Sequence, residues 1–191
     1  MHETIQELLA DLGIQPEYTN ATLQNLGNAD SKYLRDLKLN VKAVLTSEHL
    51  SAKETHLLAL AVSTNNNKEI LTNAFAAKAK ENGATDAEIA DAQACASLLS
   101  ANNVFYRFRH YVEKEAYNNA PARLRMNIMM NPVLGKEFFE LVSLAVSAVN
   151  GCEMCVKSHE QSVLHAGSSE LRIWDAIRIA SIITSLGKIV Y

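Results

Sequence analysis

The stretch Gly151-Cys-Glu-Met-Cys-Val-Lys-Ser-His159 crowds three reactive side chains into one short segment. On a helix, at about 100° per residue, Cys152, Cys155 and His159 fall within a sector of roughly 60° and share a face. A dithiol with an imidazole one turn beyond its second sulfur supplies what disulfide exchange requires: an attacking thiolate, a resolving thiol and a base. The chain therefore reads as a redox protein. Asn150-Gly151 interrupts the apolar run from Phe138 to Val149, which places Cys152 in the first turn of a new helix. Unpaired N–H groups and the positive end of the helix dipole lie there, and both favour the thiolate. His159 is spaced to take the proton of Cys155 or to stabilise its anion. Glu140 lies between Phe139 and Leu141; a carboxylate in so apolar a stretch needs a partner, and reaching back to orient the imidazole would provide one.

Competing uses of these residues are weaker. A C-x-x-C pair also occurs in zinc sites, but tetrahedral zinc requires two more ligands. The nearest further histidine, His165, lies about 220° from Cys152 around the same helix and faces away. Apolar packing alone would not call for an imidazole at position 159. Cys95 reads as a small core residue, and His2, His49, His110 and His165 read as surface or packing residues.

The elements that must position the dithiol are helices. Apolar residues recur at helical spacing almost throughout, strand-like alternation is hard to find, and there are only seven Gly and three Pro, so the fold class is all-α. Helices are expected near 2–12, 30–46, 51–65, 68–82, 86–112, 135–149, 152–166 and 169–187. The segment from Asn118 to Pro132 is the main non-helical connection. At one shift of 84 residues, Leu60-Ala-Val-Ser63 aligns with Leu144-Ala-Val-Ser147 and Gly83 with Gly167. The same register pairs Ile89 with Ile173, Asp91-Ala92 with Asp175-Ala176, and Ala96-Ser97 with Ala180-Ser181. The second half thus reads as a copy of the first. Lys68, Leu71 and Phe75 occupy the first-copy places of Cys152, Cys155 and His159, and His56 occupies that of Glu140. One site per chain is expected.

A chain of 191 residues with 48% hydrophobic content is long enough for a sizeable core. Net charge is −3 and there is no run of Lys or Arg, which argues against a nucleic-acid or membrane-surface binder. The first residues carry no basic leader, and no segment approaches the roughly 20 apolar residues of a membrane span; a cytoplasmic protein is expected. In a reducing compartment a close Cys pair is more often catalytic or metal-binding than a structural staple. No dinucleotide fingerprint, P-loop or haem attachment motif is present, so NADH and flavin chemistry is expected to reside in partners and no cofactor is expected to be bound.

The run Phe139-Glu-Leu-Val-Ser-Leu-Ala-Val-Ser-Ala-Val-Asn-Gly-Cys-Glu-Met-Cys-Val-Lys-Ser-His-Glu160 resembles the active-site signature of the AhpD alkylhydroperoxidases, within the carboxymuconolactone decarboxylase-like superfamily. Tyr33-Leu-Arg-Asp-Leu-Lys-Leu-Asn40, Asn102-Asn-Val-Phe-Tyr-Arg-Phe-Arg109 and Leu124-Arg-Met-Asn-Ile-Met-Met-Asn-Pro132 resemble the same family, in family order. The resemblance implies a single AhpD-like helical domain over 1–191, with a degenerate first repeat at about 51–112 and an active second repeat at about 135–187, assembling as a homotrimer. It implies an antioxidant dithiol that reduces alkyl hydroperoxides and regenerates the peroxiredoxin AhpC. The disulfide would be recharged by the lipoyl group of a 2-oxoacid dehydrogenase acyltransferase. By the same resemblance, Cys155 matches the thiol that attacks, becomes a sulfenic acid and links transiently to the partner. Cys152 matches the proton donor and resolving thiol, and His159 and Glu140 match the rest of the proton relay. The chain departs from the family pattern at Met154, where well-studied members carry His; a thioether cannot shuttle protons, so direct peroxidase activity is expected to suffer more than disulfide exchange.

Two other functions fit parts of the pattern. One is the decarboxylase branch of the superfamily, which does not rely on a C-x-x-C. The other is a non-enzymatic redox-sensing module, since sensor and catalyst both need an accessible thiol of low pKa.

Overall fold

The computed structural model describes residues 2–191, and among them the regular structure is entirely helical. The order is α1 (Glu3–Asp11), α2 (Ala21–Asn28), α3 (Lys32–Leu45), α4 (Ala52–Asn65), α5 (Glu69–Glu81), α6 (Asp86–Val112), α7 (Glu115–Asn119), a 3₁₀ turn (Asn127–Met129), α8 (Lys136–Val149), α9 (Glu153–His165) and α10 (Glu170–Leu186). The expected helices are present to within a residue or two at each end. Two short ones went unanticipated. α2 buries only Leu23 and carries Gly27, so its apolar periodicity is faint; the readable signal was Asn20, whose side chain accepts from the Leu23 N–H as an N-cap. α7 buries nothing.

Helix starts are written locally. Ser51 with Glu54, and Thr85 with Glu88, form reciprocal capping boxes at α4 and α6, each satisfying two N–H groups that would otherwise lack partners. α4 and α8 are the centre of the molecule. Leu57 to Ser63 and Phe138 to Ser147 are buried without interruption, because each helix is enclosed on several sides. α4 packs on α5, α6, α8 and α10, and α8 packs on α4, α6, α9 and α10.

The internal repeat is a structural one. Asn67 and Gly151, aligned at the 84-residue shift, both adopt left-handed backbone, with φ of 54° and 68°. Each follows a central helix, and in each turn the next N–H closes back onto the helix: Lys68 N to Ser63 O at 3.0 Å, Cys152 N to Ser147 O at 3.1 Å. An ion pair repeats with its polarity reversed, Lys53–Glu88 in the first half (2.7 Å) and Glu137–Arg172 in the second (3.0 Å). The halves also hold each other. Asp91 in α6 accepts from the Leu134 N–H just before α8 at 3.0 Å. Its counterpart Asp175 in α10 accepts from the Ser47 hydroxyl just before α4 at 2.8 Å. Each long helix thereby anchors the entry to the opposite half's central helix.

Arg172 closes the junction, donating to Glu137, to Glu54 of the other half and to the His49 carbonyl at 2.9 Å. It is largely buried, with 18% of its side chain exposed. Replacing Arg172 by Met leaves two carboxylates facing each other in a partly desolvated junction. We expect a loss of about 2–4 kcal/mol, read as a fall in the midpoint of urea unfolding. Breaking the more exposed Lys53–Glu88 pair is expected to cost less than about 1 kcal/mol.

Candidate active site

The turn from α8 to α9 sets the geometry of the dithiol. Gly151 supplies the left-handed residue, and no atom crowds its open side, so its role is backbone conformation. Asn150 is clamped: its Nδ2 donates to Asn65 Oδ1 (3.0 Å) and Asn103 Oδ1 (2.9 Å), its Oδ1 accepts from Asn65 (2.9 Å), and its carbonyl accepts from Arg107. Asn103 also donates to Ser147 within α8 at 2.9 Å. Helices α4 and α6 of the first half therefore hold the turn that presents the second half's cysteines.

Cys152 is the N-cap of α9, not a residue of its first turn as the sequence suggested. The break at Asn150-Gly151 takes one residue more than expected, because the Cys152 N–H is spent on Ser147 O in closing α8. Cys155 is the third helical residue, so it is this sulfur that lies in the turn with free N–H groups. The two cysteines are joined as a disulfide, with Cα atoms 5.3 Å apart. They differ in access. Cys152 is 1% exposed and Cys155 is 7% exposed, and only Cys155 lines the adjoining cavity.

His159 and Glu140 meet as the sequence suggested. The imidazole Nδ1 lies 2.7 Å from Glu140 Oε2, and Lys136 Nζ lies 3.1 Å from Oε1. A carboxylate only accepts, so Nδ1 carries the proton of that bond and Nε2 is left for chemistry. Burial pushes the Glu140 carboxyl up, but the hydrogen bonds from His159 and Lys136 more than offset it and hold the group below the ordinary glutamate value. In the first half the same two positions are His56 and Phe75, with ring centroids 6.4 Å apart. His56 turns its Nδ1 to Ala52 O at 2.7 Å, and burial lowers its pKa. The two positions are thus neighbours in both halves, but only the second half joins them by a hydrogen bond.

The cavity beside Cys155 has a volume of about 350 Å³ and is lined by Leu99, Asn102 and Tyr106 of α6, Met126 and Met129, and Met154, Ser158 and His159 of α9. Residues from α6 and from the 124–132 segment are far from the dithiol in sequence. The only signal for them lay in the two matching blocks, Asn102 to Arg109 and Leu124 to Pro132. Cys95 is fully buried in the core, and burial pushes its thiol up to about 12. His165 is exposed. Two of the histidines read as surface or packing residues have an acidic neighbour: His2 lies 3.1 Å from Asp30 as it caps α1, and His110 lies 3.7 Å from Glu153. Chain segments distant in sequence make both contacts. Among the described residues no group of three or more His, Cys, Asp or Glu is arranged to hold a metal ion. None of the described helices is long and apolar enough to cross a membrane.

The structure is a duplicated all-helical scaffold with a C-x-x-C disulfide beside a Glu–His pair, and comparison with known sequences identifies its class. The chain matches the carboxymuconolactone decarboxylase family twice, over residues 32–114 and 115–190. It is 44% identical over 163 residues to "Alkyl hydroperoxide reductase AhpD" of Anaeromyxobacter dehalogenans strain 2CP-C, covering 85% of this chain and 87% of that protein. Proteins of the same name from Rhodopseudomonas palustris strain BisB18 and Coxiella burnetii strain Dugway 5J108-111 are 43% and 38% identical, over 81% and 82% of this chain and 84% and 90% of theirs. The chain belongs to the carboxymuconolactone decarboxylase family and, within it, to the AhpD group.

Because Glu140 is held below its unfolded value, the stability it contributes is complete above the unfolded carboxylate range and disappears as pH falls through the lowered folded pKa. Glu140→Gln is expected to destabilise the protein by about 1–2 kcal/mol at neutral pH. The difference from wild type should shrink on acidification below the glutamate range. Chemical denaturation of both proteins across pH measures this, and a gap that widened in acid would contradict the pairing.

Proposed function

We propose that the chain is a peroxide-reducing thiol–disulfide protein in which Cys155 is the attacking thiol. The carrying observation is the asymmetry of the pair: Cys155 opens on the cavity and Cys152 lies beneath it. A hydroperoxide reaching this cavity meets Cys155 first. The Cys155 thiolate attacks the terminal oxygen, the O–O bond breaks, and sulfur becomes a sulfenic acid as the hydroperoxide becomes an alcohol. The thiol proton passes through His159 to the departing alkoxide, with Glu140 holding the ring and balancing its charge. Cys152 then attacks the Cys155 sulfur, the S–O bond breaks, water leaves and the disulfide forms. An incoming dithiol reopens the disulfide at the same accessible sulfur, freeing Cys152.

Membership of the AhpD group supports a finer reading of the same site. The dithiol serves the peroxiredoxin AhpC in the cytoplasm and is recharged by a dihydrolipoyl group on an acyltransferase, with NADH and flavin bound by that partner system. The reducing equivalents travel through protein sulfur alone. The chain acts as one domain over 1–191, the first repeat (about 51–112) bracing the second (about 135–187), and assembles as a homotrimer. Leu171 and Trp174, one turn apart on α10 and 59% and 64% exposed, are apolar surface of the kind subunit contacts cover. Met154 lines the cavity where well-studied AhpD proteins carry His, which leaves the proton work to His159. A decarboxylase reading assigns the dithiol no task.

Cys155→Ser is expected to abolish NADH oxidation in an assay reconstituted with lipoamide dehydrogenase, lipoamide and an alkyl hydroperoxide. Cys152→Ser should stop turnover while allowing one equivalent of sulfenic acid to accumulate, measured by trapping with dimedone. His159→Gln should lower the first-step rate by about 100-fold. Turnover retained by Cys155→Ser would end this reading.

A further inference from the structure

The cavity beside Cys155 contains a polar group for which the relay has no use. Asn102 in α6 is 5% exposed, its Oδ1 has no hydrogen-bond partner, and its Nδ2 donates only to the Met126 thioether at 3.1 Å. A thioether is a weak acceptor, so this amide is nearly unsatisfied, and burying such a group without partners is unfavourable. The fold itself does not require it. At the 84-residue shift the counterpart of Asn102 is Leu186, fully buried at the end of α10. The equivalent position of the second repeat is thus filled by hydrocarbon, and the one that shares a cavity with Cys155 carries an amide.

We propose that Asn102 binds the hydroperoxide group of the substrate; this rests on the peroxide-reducing reading above and deepens it. A primary amide presents an acceptor next to a donor, and R–O–O–H presents a donor next to an acceptor. The Asn102 Oδ1 accepts from the terminal O–H, and Nδ2, released from the Met126 thioether, donates to the alkyl oxygen. Met126 is suited to yield, since its unbranched side chain re-packs easily. This arrangement sorts the two oxygens. The terminal one is held toward Cys155, and the alkyl one, which gains charge as the O–O bond breaks, receives a hydrogen bond that strengthens as that charge develops. Leu99, Met126 and Met129 enclose the alkyl group. Thiols are poor hydrogen-bonding partners, so a dihydrolipoyl group draws little from the same amide. Asn102 therefore acts in the peroxide half of the cycle and has little effect on the disulfide-exchange half.

The test is a comparison of single-turnover rates in the full-length protein. Asn102→Leu matches the branching of the amide and introduces the side chain already accommodated at 186. Three reactions are followed by quenching and counting free thiols: oxidation of the reduced protein by cumene hydroperoxide, oxidation by diamide, which has no O–H to offer, and reopening of the disulfide by dihydrolipoamide. We expect oxidation by hydroperoxide to slow by at least about tenfold relative to the other two. Equal slowing of all three, the mark of a residue that merely supports the dithiol, overturns the proposal, as does no slowing of any. Circular dichroism establishes that the variant is folded; should it not be, Asn102→Ala is read by the same ratio. If wild-type protein reduces neither cumene hydroperoxide nor tert-butyl hydroperoxide, the functional reading itself falls. If wild type reacts and the variant keeps its rate, only the role of Asn102 falls.

Discussion

The turn between α8 and α9 is the constraint on which the site depends. A left-handed residue at Gly151 lets the Cys152 N–H close α8 by bonding Ser147, and that bond puts Cys152 at the cap of α9 and Cys155 among its free N–H groups. His159 then follows one turn along the same face. The clamp on Asn150, from Asn65, Asn103 and Arg107, holds this turn by bonds that do not involve the disulfide. Under the proposed cycle the pair needs such an external frame, because its own bond cannot maintain the geometry once it is reduced.

The frame comes from the other half of the chain. Asp91 and Asp175 each fasten the entry to the opposite half's central helix, and Arg172 ties both junctions together. Each half thus draws part of its support from the other. The first copy therefore builds part of the site: α6 provides one wall of the cavity and α4 provides Asn65. The first copy lacks the sulfurs and the Glu–His pair, with Lys68, Leu71, Phe75 and His56 in their places. The reversal of the Lys53–Glu88 and Glu137–Arg172 polarity fits the same division, since only the second-half arrangement places an arginine where it can also reach Glu54 across the junction.

Much of this was legible in the residues. Helical periodicity, capping boxes and the 84-residue shift follow from local chemistry and duplication, and both leave marks in one dimension. Glu140 was suspect because a carboxylate in an apolar helix requires a partner, and His159 is that partner. The misses are equally physical. α2 was overlooked because a short helix that buries a single side chain has almost no periodic signal. The acidic neighbours of His110 and His2 left no mark in the sequence because they come from other segments.

The sequence alone determined that Cys152, Cys155 and His159 share one side of a helix, the all-helical class and the presence of a second copy without these side chains, since each depends on residues close in the chain or on repetition along it. Only the tertiary structure decided which sulfur is accessible, that Asn102, Tyr106, Met126 and Met129 share a cavity with Cys155, and that each half is anchored by the other. Those properties depend on which surfaces are brought together and which are closed to solvent. Helix packing sets both, through contacts between residues that spacing along the chain does not relate.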